Sequence, residues 1–148
     1  MKRSIDLKIL IIMIGFLCAK TNGQNLNEHQ WKNRVLIVKT LSTPSKKFNK
    51  QLNELKNSNK ELKERKLVLY KINKDDFSLI NFANSKSNYS AKVSESITQN
   101  ILDEDKDFEI ILIGLDGGVK LKQNEILLIE DLFGIIDSMP MRKKEMRD

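Results

Sequence analysis

The chain has 148 residues, with 26 basic and 20 acidic side chains, a net charge of +6, one cysteine and one histidine. That length suits one domain. A single cysteine, Cys18, and a single histidine, His29, exclude a disulfide framework and a Cys/His zinc cluster.

The first element is a leader. Lys2 and Arg3 precede the apolar run Ile9 to Ala19, and the small residues Thr21 and Gly23 follow it. The run is short for a membrane span, which needs ~20 apolar residues. The pattern predicts a signal peptide over residues 1–23, cut after Gly23, and a periplasmic or extracellular product starting at Gln24. An uncut anchor and a lipoprotein attached through Cys18 are the alternatives; Leu17 stands where lipoprotein processing wants a small residue. The cut removes Lys2, Arg3, Lys8, Lys20 and Asp6, which lowers the net charge to +3. That is too weak for the electrostatic footprint of a nucleic-acid binder. Cys18 leaves with the leader, and thiolate chemistry leaves with it.

Residues 24–33 are polar and read as a flexible N-terminal segment, with His29 solvated and Trp31 as its apolar handle. A domain over residues 34–148 follows. The run Arg34 to Thr40, RVLIVKT, is apolar on both faces and predicts a central strand. Ser42 or Thr43 is placed to cap a helix with Pro44 in its first turn; Phe48, Leu52, Leu55 and Leu62 then recur at helical spacing. Lys66 to Ile72, KLVLYKI, is a second strand, completing a βαβ unit with a parallel pair.

Asn73 to Ala91 is polar and reads as a loop containing the glycosylation triplet Asn88-Tyr89-Ser90. Val93, Ile97 and Ile101 are spaced by four and suggest a short helix. Phe108 to Gly114 is a buried strand, and Asp116-Gly117-Gly118 forms a tight turn into the alternating strand Val119 to Lys122. Leu128, Leu132, Ile135, Ile136 and Met139 make a last helical stripe, and Pro140 disfavours helical geometry at Met139.

The order is βαβ, helix, β-hairpin, helix. It predicts an α/β thioredoxin-like fold with a mixed central sheet flanked by helices. The stretches FEIILIGLDGGVKLK and DLFGIIDSMPMRKKEMR closely resemble a family of small exported bacterial proteins of unknown function. Its domain is related to repeats in sushi-repeat proteins and equarin-like matrix proteins, the P-DUDES group. RVLIVKTLSTPS resembles that family's first strand and turn, so the likeness covers most of Arg34 to Arg147. Leu115 stands where the family usually carries a basic residue.

The resemblance makes Asp116, Gly117, Gly118, Met139, Pro140 and Met141 structural motif positions. Met139 and Met141 suit an irregular apolar gap beside the sheet. Arg142, Lys143, Lys144 and Arg147 are expected in water near a helix C-terminus; they are also the candidate binding residues, as a basic docking patch. In thioredoxin-like enzymes the reactive cysteine occupies the turn after the first strand. Here that turn carries Ser42, Thr43 and Ser45, and a hydroxyl needs an adjacent base to act as a nucleophile. Asp103, Glu104 and Asp105 read as a solvated loop. The expectation is therefore no catalytic residue, no metal and no cofactor. The chain reads as a monomeric, non-redox binding or structural module of the envelope or secreted space. It is expected to meet a protein or other envelope partner, without nucleic acid and without membrane contact after cleavage. The alternative is a non-thiol enzyme with a polar site at the C-terminal edge of the sheet.

Overall fold

The computed structural model describes residues 26–74, 76–83, 86–90 (backbone only) and 100–148. Six strands form one mixed sheet: β1 (Arg34–Thr40), β2 (Leu67–Asn73), β3 (Asp76–Asn81), β4 (Lys86–Ser90), β5 (Phe108–Ile113) and β6 (Val119–Gln123), in the order β4-β3-β2-β1-β5-β6. β1 is buried along its whole length because it is paired on both sides and covered on both faces. It runs parallel to β2, with Arg34 opposite Leu67, and antiparallel to β5, with Thr40 opposite Phe108.

The pleat sorts the core into two layers. Leu36, Val38, Leu67, Leu69, Ile110 and Leu112 meet the helices on one face. Val35, Ile37, Tyr70, Phe77, Leu79 and Ile111 form the other core, which includes Leu102 and has Leu26 packed against it. On the helical face lie α1 (Lys46–Leu55), α2 (Asn59–Glu64), α3 (Ile129–Ser138) and α4 (Pro140–Glu145). Among the described residues no helix is long and apolar enough to cross a membrane.

Several boundaries differ from the sequence reading. Ser45 caps α1, its Oγ accepting from the Phe48 amide at 3.3 Å, so Ser42, Thr43 and Pro44 belong to the turn before the helix. The stripe from Phe48 to Leu62 is split between α1 and α2, and the seven-residue step from Leu55 to Leu62 keeps both on the core side. The polar stretch after Asn73 is not all loop: β3 and β4 extend the sheet beyond β2, with Phe77 and Leu79 buried. Asn88 falls on β4. Val93 and Ile97 lie outside the described residues, and Ile101 packs against the second core.

The segment expected to be loose also docks. Residues 26–28 form a 3-10 turn, the Trp31 amide donates to the Leu115 carbonyl at 2.6 Å, and the Gln30 side chain donates to the Asp116 carbonyl at 3.0 Å. His29 Nε2 lies 2.7 Å from the Tyr70 hydroxyl. Trp31 adopts φ of 64° and stays 64% exposed, so its backbone, not its ring, secures the segment.

Candidate functional site

The C-terminal motif forms a charged clasp. α3 stops at Ser138, Met139 is extended, and Pro140 opens α4 at its first turn. This places Arg142 at the foot of β1 and β2, where it is 4% exposed. Arg142 Nε donates to Asp137 Oδ1 at 3.2 Å, and its Nη2 pairs with Glu64. Glu145 Oε2 takes Arg34 Nη1 at 3.2 Å, and its Oε1 takes Lys66 Nζ at 3.1 Å. Arg65 adds two bonds to Asp137, from Nε to Oδ1 at 3.0 Å and from Nη2 to Oδ2 at 2.5 Å, and lies over the Phe133 ring. Burial raises the Glu145 and Asp137 carboxyls, but their cationic partners outweigh it and hold both below their ordinary values.

Arg142 was expected in water with Lys143, Lys144 and Arg147; it is instead buried, because carboxylates from three chain segments surround it. Lys143, Lys144 and Arg147 do face solvent and make no ion pair among the described residues. Met139 is only half-buried against the helical core, where its stripe predicts full burial. Met141 is 42% exposed and fills no gap beside the sheet.

The Asp116 turn is closed on itself. Gly117 takes φ of 80°, Asp116 Oδ1 accepts the Gly118 amide at 3.1 Å, and Asp116 Oδ2 pairs with Lys120 at 2.7 Å. Asp116 thus sits below its usual range, held there mainly by the Lys120 bond. Leu115 is buried and supplies a carbonyl to Trp31.

At the opposite end of the sheet, the turn after β1 gathers hydroxyls and acids. Ser42 Oγ donates to Asp107 Oδ1 at 2.6 Å, and Thr43 Oγ1 donates to Asn73 Oδ1 at 2.6 Å. Ser45 is spent on its helix cap. The Thr43–Pro44 peptide is cis. Beneath the turn, Lys39 and Glu109 are both 2% exposed and lie 4.0 Å apart. Glu109 also accepts Lys122 at 3.3 Å and the Asp103 amide at 3.0 Å. Asp103 is therefore not a free solvated acid: its carbonyl takes Lys39 and its carboxylate takes the Asp105 amide at 3.0 Å. Every hydroxyl of the turn has a partner, and His29 is bound to Tyr70 on the second core instead. Among the described residues no three His, Cys, Asp or Glu converge as metal ligands.

Sequence reasoning missed Arg34, Glu64, Asp137 and Glu145 of the clasp and the buried Lys39–Glu109 pair. Lys39 and Glu109 carried a signal: each is a charge beside the apolar run of a buried strand.

The model of a family described as a domain of unknown function (DUF4174) matches residues 25–145. No curated protein matches the chain. No solved structure matches it.

Proposed function

The chain belongs to that family, whose description assigns no activity, and from that premise we propose that it is a non-redox binding or structural module with a thioredoxin-like fold. The single observation that carries this reading is the turn after β1. It holds Ser42, Thr43 and Ser45 where a redox enzyme of that fold carries its thiol, and each hydroxyl is engaged by Asp107, Asn73 or the Phe48 amide. The parallel β1–β2 pair and the antiparallel β1–β5–β6 run support the fold assignment. So does the likeness of the last hairpin and helix to the domains of sushi-repeat and equarin-like proteins.

The module acts as a monomer after export, without its first 23 residues, and meets a protein or other envelope partner. It takes no nucleic acid and does not enter the membrane. Its outward cations Lys143, Lys144 and Arg147 are the docking residues.

The alternative, a hydroxyl-based enzyme, draws on the Ser42–Asp107 contact of 2.6 Å. A carboxylate that accepts a serine proton without an imidazole to relay it makes a weak nucleophile. The deciding experiment is a panel of esterase, amidase, disulfide-reductase and peroxidase assays on the purified protein and on Ser42→Ala. No turnover above the heat-treated control supports the module. Turnover that Ser42→Ala abolishes overturns it in favour of the enzyme.

A further inference from the structure

The sheet is wider than the helical layer above it. β3 extends the sheet past β2, while α1 and α2 lie over the central strands. The step between them is a groove of about 470 Å³. That lies within the ~300–1,000 Å³ typical of small-molecule sites. Its floor is Leu69 of β2 with Ile80 and Phe82 from β3 and just beyond it, and Leu52 and Leu55 of α1 form the apolar wall. Ile80, Phe82 and Leu52 are only partly buried, so apolar surface is left facing the opening.

Five polar side chains converge on this apolar lining: Asn49, Asn53, Asn59, Lys56 and Lys71. None makes a side-chain hydrogen bond or ion pair with a described residue. Among the described residues the lining holds two cations and no carboxylate. Lys71 is the unusual member. It is half-buried on β2, between the core residues Tyr70 and Ile72, yet no acid among the described residues answers it. A partly desolvated ammonium without a counter-charge is costly, and an anion that arrives there recovers that cost.

The fold orders these groups along the groove. α1 opens the crossover from β1 to the parallel β2, so it runs opposite to them and its Asn49 lies toward the end where Lys71 stands. Lys56, Asn59 and Phe82 lie toward the other end, where the Phe82 amide bonds the Leu67 carbonyl. Four strand steps separate Lys71 from Leu67, roughly 13 Å of floor at ~3.3 Å per residue.

We propose that this groove binds a single-chain anionic amphiphile. Lys71 and Asn49 hold its carboxylate or phosphate head, and its apolar chain lies along Leu69, Ile80 and Phe82. The charge complementarity selects an anion, and the continuous apolar floor selects an acyl-type tail over a sugar. An extended peptide is disfavoured because β2 and β3 are each paired on both edges, leaving no backbone ladder to extend. The inference rests on the reading of the protein as a binding module and adds to it a ligand site distinct from the outward cations Lys143, Lys144 and Arg147.

The test is calorimetric titration of the protein with dodecanoate and with a lauroyl lysophosphatidylglycerol, both below their micelle concentrations. Dodecanol and dodecyltrimethylammonium serve as neutral and cationic controls. Saturable binding of one or both anions is expected. Binding of only one of them identifies the head as carboxylate or phosphate. Losing a charge-assisted contact of ~1.5–3 kcal/mol predicts that Lys71→Gln weakens binding by about tenfold or more, while Lys71→Arg stays within about threefold. Ile80→Asn weakens the tail contact, and circular dichroism with thermal melting verifies that each variant is folded. Absence of saturable binding by both anions overturns the proposal. Equal binding of the controls, or an unchanged affinity in folded Lys71→Gln, also overturns it. The titration reads the groove alone, so its failure is distinct from turnover dependent on Ser42, which would defeat the module reading itself.

Discussion

Arg142 and Asp137 face each other across the Pro140 turn at 3.2 Å, tying α4 back to the end of α3. Because Arg142 is 4% exposed and also serves Glu64 and Glu145, its loss strands the partly buried carboxylates of Asp137 and Glu145. Breaking a buried ion pair costs ~3–5 kcal/mol, while exposed charges change stability by less than ~0.5 kcal/mol. Glu64 is largely exposed, which places Arg142→Gln toward about 3 kcal/mol. Thermal melts should show a fall of roughly 10 °C for Arg142→Gln and almost none for Lys143→Gln with Lys144→Gln. Equal melting of both variants would refute the clasp.

The His29–Tyr70 contact of 2.7 Å makes the N-terminal segment sensitive to mild acid. Burial lowers the His29 value below its ordinary 6.5, against the raising effect of Asn33 and Glu28. A depressed value means that the unfolded chain binds the proton more readily. The stabilisation is therefore complete above about pH 6.5 and is lost as pH falls through the folded value. Glu145 and Asp137 are also depressed, but they act lower, below their ordinary values of 4.5 and 3.8. Between pH 7.5 and 5.5 the melting temperature of the protein should drop more than that of His29→Gln. Parallel profiles for the two would show that the imidazole does not secure the segment.

Gln51 makes a paired contact with the backbone of Leu127, donating at 2.9 Å and accepting at 2.7 Å while fully buried. It fixes the approach to α3 onto α1. Gln51→Leu keeps the volume but leaves the Leu127 amide and carbonyl buried without partners, at ~1–3 kcal/mol each. The expected outcome in urea unfolding is a midpoint lowered by an amount equivalent to at least about 2 kcal/mol. A midpoint unchanged or raised would mean that packing alone holds the two helices together.

The parts legible in the sequence were those with one dominant periodicity. β1, β2 and β5 are apolar runs flanked by polar residues, and the Asp-Gly turn marks the last hairpin. β3 was hidden because Phe77 and Leu79 alternate for too few residues inside a polar stretch, and only pairing with β2 makes that alternation meaningful. The clasp was hidden for a different reason. A basic cluster near a chain end looks solvated until Glu64, 78 residues away, is brought against Arg142. Gln51 was legible in principle: it follows Phe48 by three and precedes Leu55 by four, so it lies on the buried face of α1. The groove follows from the width of the sheet relative to its helices, which no local pattern encodes.

The two methionines around Pro140 separate packing from exposure. Met139 continues the stripe of Leu132, Ile135 and Ile136 and rests half-buried on the helical core, whereas Met141 points away with 42% of its surface exposed. Truncating a fully buried Met to Ala costs ~2–5 kcal/mol, and a half-buried one about half of that, through lost contacts and the void left behind. An exposed Met loses little, because water already covers it. Met139→Ala should therefore lower the melting temperature by several degrees, at roughly 2–4 °C per kcal/mol for a domain of this size. Met141→Ala should leave it within about 1 °C. A larger fall for Met141→Ala than for Met139→Ala would mean that α4 packs through the face opposite to the one Arg142 occupies, and the clasp geometry would have to be redrawn.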